Sequence, residues 1–203
     1  MNPDYPGDTS TQTVQSSQNS AQFISVEMND TGQPDSSSFD ASRNTKEIQR
    51  EVCDVAQGTA KVNVFDVASY ILEKCGEMSA LKLQKLVYYC QAWSLVWDDE
   101  PLFPERIEAW AHGPVVKELY DYHRGLFRLS RIPVGSPFKL SPTQKRTIDA
   151  VVKFYGAKEP WHLAELTHLE DPWKNARQGV PVGAPSSREI TQEAMQAYYS
   201  SLI

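Results

Sequence analysis

The sequence predicts a mainly α-helical domain: a compact set of helices around one buried central helix, with room for one small β-hairpin and a disordered N-terminal tail. Three observations predict it. Residues 81–97 are apolar in nearly every direction around a helix axis, which a helix tolerates when neighbours cover most of its sides. The segments flanking it carry one-sided apolar stripes bounded by capping residues. The composition also breaks near residue 60. Residues 1–60 hold nine acids and three bases, whereas residues 61–203 hold 17 of each, so the formal charge of −6 resides in the first segment. All five Trp and all four His lie in the second.

Residues 1–60 therefore read as an acidic Ser-, Thr- and Gln-rich tail, and residues 61–203 as the folded domain. The first 45 residues offer too little apolar surface to offset the entropy of ordering them, hence the expectation of disorder. Within the tail, Ile48, Val52 and Val55 are spaced for a short helix over residues 46–57, ended by Gly58. The start has no basic stretch leading into an apolar run, unlike a secretory signal, and it is not Arg-rich like a mitochondrial presequence. No window approaches the 18 or so apolar residues of a membrane span. The same composition would suit a recognition tag for a secretion machine or a protease.

The first helix of the domain is expected from Val64 to Cys75. Val64, Val67, Ala68, Ile71, Leu72 and Cys75 make its stripe, with Asn63 as cap, Asp66 at the positive helix end and Gly76 as terminator. The central helix follows from Ser79, its cap, to Val96 or Trp97. Lys82, Gln84 and Lys85 read as its wetter face. Asp98-Asp99-Glu100-Pro101 ends it. Arg106 to Trp110 alternates like a short strand. Gly113-Pro114 breaks that run, and Pro114 suits the first position of a third helix with a stripe of Val115, Val116, Leu119, Tyr120, Tyr122 and His123. Residues 124–140 form a loop in which Ile132 and Val134 are placed to pair with the Ile107 strand. Ser141-Pro142-Thr143-Gln144 is a capping box with Pro at the first helical position, opening a helix that buries Ile148, Val151, Val152 and Tyr155 and stops at Gly156. Residues 161–169 form another short helix with Leu163, Leu166 and Thr167 inward. Asp171 caps a further turn or two. Residues 178–187 form a Gly- and Pro-rich loop. Thr191 caps a last helix expected to turn Ala194, Ala197, Tyr198 and Leu202 to the core.

Chemistry leaves few marks on this chain. Cys53, Cys75 and Cys90 are odd in number and lack CxxC spacing, so they suggest neither a disulfide framework nor a zinc knuckle. Cys75 and Cys90 fall on apolar stripes and read as buried small hydrophobes in a reducing compartment. His162 and His168 are six apart, on different faces of a helix, and no HExxH occurs. There is no GxSxG elbow, GxxxxGK[ST] or GxGxxG. No cofactor or metal is implied. The folded part is neutral and its Arg124, Arg128, Arg131 cluster is small, which argues against nucleic acid as a partner. Trp93 and Trp161 read as core. Trp110 and Trp173, beside turns, could equally be contact residues, because Trp and Tyr dominate interaction hot spots.

An ordered series of segments carries a family resemblance. Phe65-Asp66-Val67-Ala68 with Tyr70-Ile71-Leu72, then Leu81 to Tyr89, then Pro101-Leu102-Phe103, Ile107-Glu108-Ala109-Trp110, His112-Gly113-Pro114-Val115-Val116 with Leu119-Tyr120, and finally Thr167-His168-Leu169-Glu170 with Pro172-Trp173, resemble the SocA-type antitoxin domain, also called the Panacea domain, and its phage-associated relatives. The likeness runs from residue 64 to about 178. His112 stands where the family usually has Lys or Tyr before Gly-Pro. The tail has no counterpart in the family.

The resemblance implies a bacterial or phage-encoded cytoplasmic antitoxin, not an enzyme. It would bind a cognate toxin directly and could act as an adaptor that delivers the toxin to a ClpXP-type protease. It supplies no binding map. The residues expected to touch a partner are Lys82, Lys85, Glu108, Trp110, His112, Arg124, Arg128, His168 and Trp173, read from the sequence alone. The segment from Trp110 to Pro114, brought out by a turn, is the first place to look. Two rival expectations stand beside this: a secreted or host-interacting effector that uses the tail for export, and an enzyme relying on His112 or His168.

Overall fold

The computed structural model describes residues 61–203. The expected tail disorder, the short helix over residues 46–57 and Cys53 lie outside the described residues. Helix α1 spans Val64–Cys75, strand β1 Met78–Ser79, helix α2 Ala80–Trp97, strands β2 and β3 Ile107–Trp110 and Gly113–Val116, helix α3 Lys117–His123 and strand β4 Arg128–Leu129. A 3₁₀ turn at Pro137–Lys139 leads to α4 (Pro142–Tyr155), α5 (Pro160–Leu169), α6 (Asp171–Ala176) and α7 (Gln192–Ser200). The described residues thus form seven α-helices and two small antiparallel sheets, as the mainly α prediction requires.

Helix α2 is the axis. Leu83, Leu86, Val87, Tyr88, Tyr89, Cys90, Ala92 and Trp93 are all fully buried, with α1, α4, α5, α7 and β3 packed around them. Each large side chain so buried contributes about 1.5–3 kcal/mol. Tyr155 of α4 stacks on Tyr89 at 4.0 Å between ring centroids. Helix α2 also carries buried amides two turns apart. Gln91 accepts from the Leu102 and Phe103 backbone N–H groups at 2.9 and 3.1 Å and donates to the Phe103 carbonyl at 3.0 Å, which fixes the Pro101–Pro104 turn.

The caps at Asn63, Ser79, Ser141 and Thr191 form as expected, with reciprocal capping boxes at Asn63 and Ser141. Asp66 does more than cap. Fully buried, it also accepts from Ser136 N at 2.7 Å and lies 3.3 Å from Lys139 Nζ, so it ties the 3₁₀ segment to the start of α1. Gly135 makes that approach possible, since a Cβ there would sit 2.0 Å from the Phe65 carbonyl oxygen.

Several expectations need correction. Gly113-Pro114 starts no helix. Gly113–Val116 is a strand that pairs with Ile107–Trp110 in the register Ile107↔Val116, Glu108↔Val115, Ala109↔Pro114, Trp110↔Gly113. The turn is Ala111-His112, Gly113 adopts φ +97, and helix α3 waits until Lys117. Pro114 fits a strand here because only its carbonyl is needed. Ile132 and Val134 therefore find the Ile107 strand already taken, and the second sheet is instead β1 with β4, pairing Met78↔Leu129 and Ser79↔Arg128. Helix α6 is capped at Glu170, not Asp171. The fully buried pair in α7 is Met195 and Tyr199, while Tyr198 and Leu202 pack half-buried against the core as expected and Ala197 is exposed. Cys75 is exposed, unlike Cys90. Trp161 is 63% exposed, whereas Trp93 is fully buried.

Candidate docking groove

The β2–β3 hairpin is anchored along both edges. The free edge of β3 is sealed by side chains of α2 that imitate a neighbouring strand. Gln84 Oε1 accepts from Val116 N at 2.9 Å and its Nε2 donates to Val116 O at 3.3 Å, while Lys85 Nζ donates to Pro114 O at 2.8 Å. Gln84 and Lys85 are 3% and 0% exposed, so this is the opposite of a wet face, and Lys85 cannot reach a partner. Along the other edge, Ala109 N donates to Arg188 O and Ile190 N to Ile107 O. Trp173 Nε1 donates to Trp110 O at 2.9 Å, and the buried Arg177 donates to Ala109 O at 2.8 Å and Ala184 O at 2.7 Å. At the crossing point, a Cβ on Gly113 would lie 2.7 Å from Thr167 Oγ1 and 2.8 Å from Lys85 Cε. Three sequence segments, around Lys85, Gly113 and Thr167, thus converge there.

In front of this hairpin lies a groove of about 810 Å³. One wall is Glu108, Trp110 and Val115, and the opposite side is the start of α2 at Ala80 and Leu81. Tyr120 and His123 of α3, Leu126, and the loop from Gly183 to Ser187 complete it. Trp110 meets Tyr120 edge-on at 4.6 Å. On the floor, Gln84 Nε2 and His123 Nε2 are 3.1 Å apart, and burial lowers the His123 pKa, which favours its neutral form. Leu126, which lines the groove, and its neighbour Phe127 are 54% and 80% exposed. Trp161 stands beside the turn, edge-on to His112 at 5.8 Å.

The structure sorts the expected contact residues into groups. Glu108, Trp110 and His112 line the groove. Arg124, exposed, lies over the Tyr120 ring at 5.8 Å from its centroid, beside the groove-lining Gly125 and Leu126. Arg128 is exposed and ion-paired with Glu77 across the β1–β4 sheet. Lys82 is half-buried on α2. His168 and Trp173 sit behind the hairpin, stacked at 4.1 Å, and support it without lining the groove. Burial lowers the His168 pKa, helped by the positive charges of Lys85, His112 and Arg177. Sequence reasoning missed Gln84, Tyr120, His123 and the Gly183–Ser187 loop. The available signal was Gln84 itself, an amide inside an otherwise apolar helix, which must find partners when buried.

Two buried titratable groups sit in the core behind the hairpin. Glu170 accepts from Tyr89 Oη at 3.0 Å and Tyr199 Oη at 2.7 Å, and burial pushes its carboxyl up to about 8 against that stabilisation. Burial lowers the Lys85 amine to about 7. No ion pair joins them. Among the described residues no group of three or more His, Cys, Asp or Glu could hold a metal ion, and no helix is long and apolar enough to cross a membrane. Nothing among curated proteins and nothing among solved structures matches the chain. One family model does: residues 83–174, from the central helix through the hairpin to α6, match the model described as antitoxin SocA-like, Panacea domain. Helix α1, part of the resemblance read from the sequence, falls outside the matched span.

Proposed function

We propose that this chain, whose residues 83–174 carry the SocA-like Panacea domain, is an antitoxin that binds a cognate toxin by direct contact through the hairpin groove. It works by occupying a surface of its partner and performs no reaction of its own. The observation that supports this most is the groove's construction. An apolar cleft of this volume, walled by a hairpin anchored on both edges, is a preorganised surface that loses little freedom on binding. The exposed Leu126 and Phe127 at its margins supply apolar surface for a partner to bury, and the exposed Trp161 is of a residue type enriched in binding hot spots. His112 and His168, on which an enzyme reading depends, share no hydrogen bond among the described residues, and His112 lines the groove whereas His168 does not.

This reading places the protein in the cytoplasm, beside its toxin. The same contact would also serve an adaptor that passes the toxin to a ClpXP-type protease. Co-expression with the protein encoded next to it tests the proposal. The wild-type chain should restore growth, and Ala111→Arg, which fills the groove with a charged side chain, should not. Equal rescue by Ala111→Arg, or a neighbouring product that is harmless alone, would remove the reading. Toxin half-life in cells with and without the protease then separates occlusion from delivery.

A further inference from the structure

We infer that the groove selects a partner segment presenting an arginine or lysine between apolar residues, with the cationic head received by Glu108 beside the Trp110 ring. This rests on the groove being the docking surface and names the chemistry it prefers. Among the described residues that line the groove, Glu108 is the only carboxylate. Its side chain is 9% exposed, and one oxygen, Oε2, accepts from Trp110 Nε1 at 2.8 Å. The other, Oε1, has its nearest cation, Arg106 Nη2, at 3.8 Å, beyond hydrogen-bond range. Arg106 is engaged by Ser187 O and by Glu189 at 3.5 Å, and Lys117 on the same wall is held by Asp121. The Gln84 amide is committed to Val116 and His123. Oε1 receives no hydrogen bond among the described residues, so this groove-lining carboxylate retains an acceptor position.

The surroundings decide which partner gains from it. A purely apolar segment would strip the remaining water from Glu108 and leave its charge balanced only by the Trp110 N–H and by Arg106 at 3.8 Å. An acidic side chain would meet it at short range in a low dielectric. A guanidinium or ammonium makes a charge-assisted hydrogen bond there. It also gains from the aromatic wall: Arg124 already covers Tyr120 from the rim, so the ring left for the partner is that of Trp110. Apolar neighbours of the basic residue would rest on Leu81, Val115 and Leu126.

The test uses the full chain and a random twelve-residue peptide library displayed on phage, with binders to the Ala111→Arg variant removed. The expected pool carries one Arg or Lys flanked by apolar residues. Fluorescence anisotropy with the most enriched peptide should show a loss of about tenfold or more when its basic residue becomes citrulline, and a similar loss with Glu108→Gln on the protein. The two changes together should cost no more than either alone, as expected of one contact. The citrulline arm leaves the protein untouched, so it stands even if Glu108→Gln disturbs Trp110. An acidic or uncharged pool, no groove-dependent pool, or unchanged affinity with citrulline would overturn the inference. Growth rescue by the wild-type chain alongside any of these would leave the antitoxin reading intact and remove only the basic-segment preference.

Discussion

Replacing Glu170 with Gln should remove a pH dependence that is built into the core. The folded carboxyl holds its proton up to about 8, whereas the unfolded chain releases it near the ordinary 4.5. Between these values the unfolded state has lost a proton that the folded state keeps, so stability is fully present below 4.5 and declines as pH rises toward 8. At about 1.4 kcal/mol per unit, the ceiling is about 5 kcal/mol, and the slope in mid-window is about 1.4 kcal/mol per pH unit. Gln keeps the shape and can still bond Tyr89 and Tyr199, but it does not titrate. Urea unfolding of wild type and Glu170→Gln at intervals from pH 5.5 to 7.5 reads the effect as a difference, in which His123 and His168 cancel. The variant should gain on the wild type by about 3 kcal/mol across that range. A difference that stays flat with pH would mean that the folded carboxyl is already ionised, and the reasoning would fail.

Lys85 predicts the mirror image: its folded pKa of about 7 lies below the ordinary 10.5, so stability lost on lowering the pH from 10.5 to 7 should be absent in Lys85→Met. Urea unfolding from pH 7.5 to 9.5 checks this, the wild type gaining about 2 kcal/mol or more on the variant as pH rises. Gly113→Ala should lower stability by about 2–4 kcal/mol in thermal unfolding, because φ +97 disfavours a side chain and the new Cβ meets Thr167 and Lys85. Gln84→Ala leaves Val116 N–H and C=O without their partners and should cost about 1–3 kcal/mol, with faster amide exchange concentrated in the hairpin. Trp161→Ala, by contrast, should move the melting temperature little, since a ring 63% exposed supports little packing.

The helices were legible because their signals are local. Asn63, Ser79, Ser141 and Thr191 each cap the helix they precede, and the all-round apolarity of residues 81–97 identifies the buried axis, whose buried residues run from Leu83 to Leu95. Gln84 and Lys85 were misread for a reason that local pattern cannot remove. Polar residues on a helix suggest water, yet these two face a strand edge whose backbone supplies their partners. Pro114 was ambiguous in the same way: a missing N–H suits a helix start or a strand position where only the carbonyl is used, and the hairpin register decides. The hairpin's true partner strand lay across a two-residue turn, whereas the β1–β4 pairing joins segments about fifty residues apart with only two residues each. The groove shares this limit. Glu108, Trp110 and His112 were legible as candidates beside a turn, but Tyr120, His123 and the Gly183–Ser187 loop join them only through tertiary packing.

The most direct test of the central claim is hydrogen-exchange protection of the full chain on binding the protein encoded beside it. The account predicts new protection at the start of α2, along residues 108–115, over residues 120–126 and in the loop at residues 183–187. Protection confined to other faces, such as the outer side of α4, or no protection at all with a toxin that the chain neutralises, would contradict it.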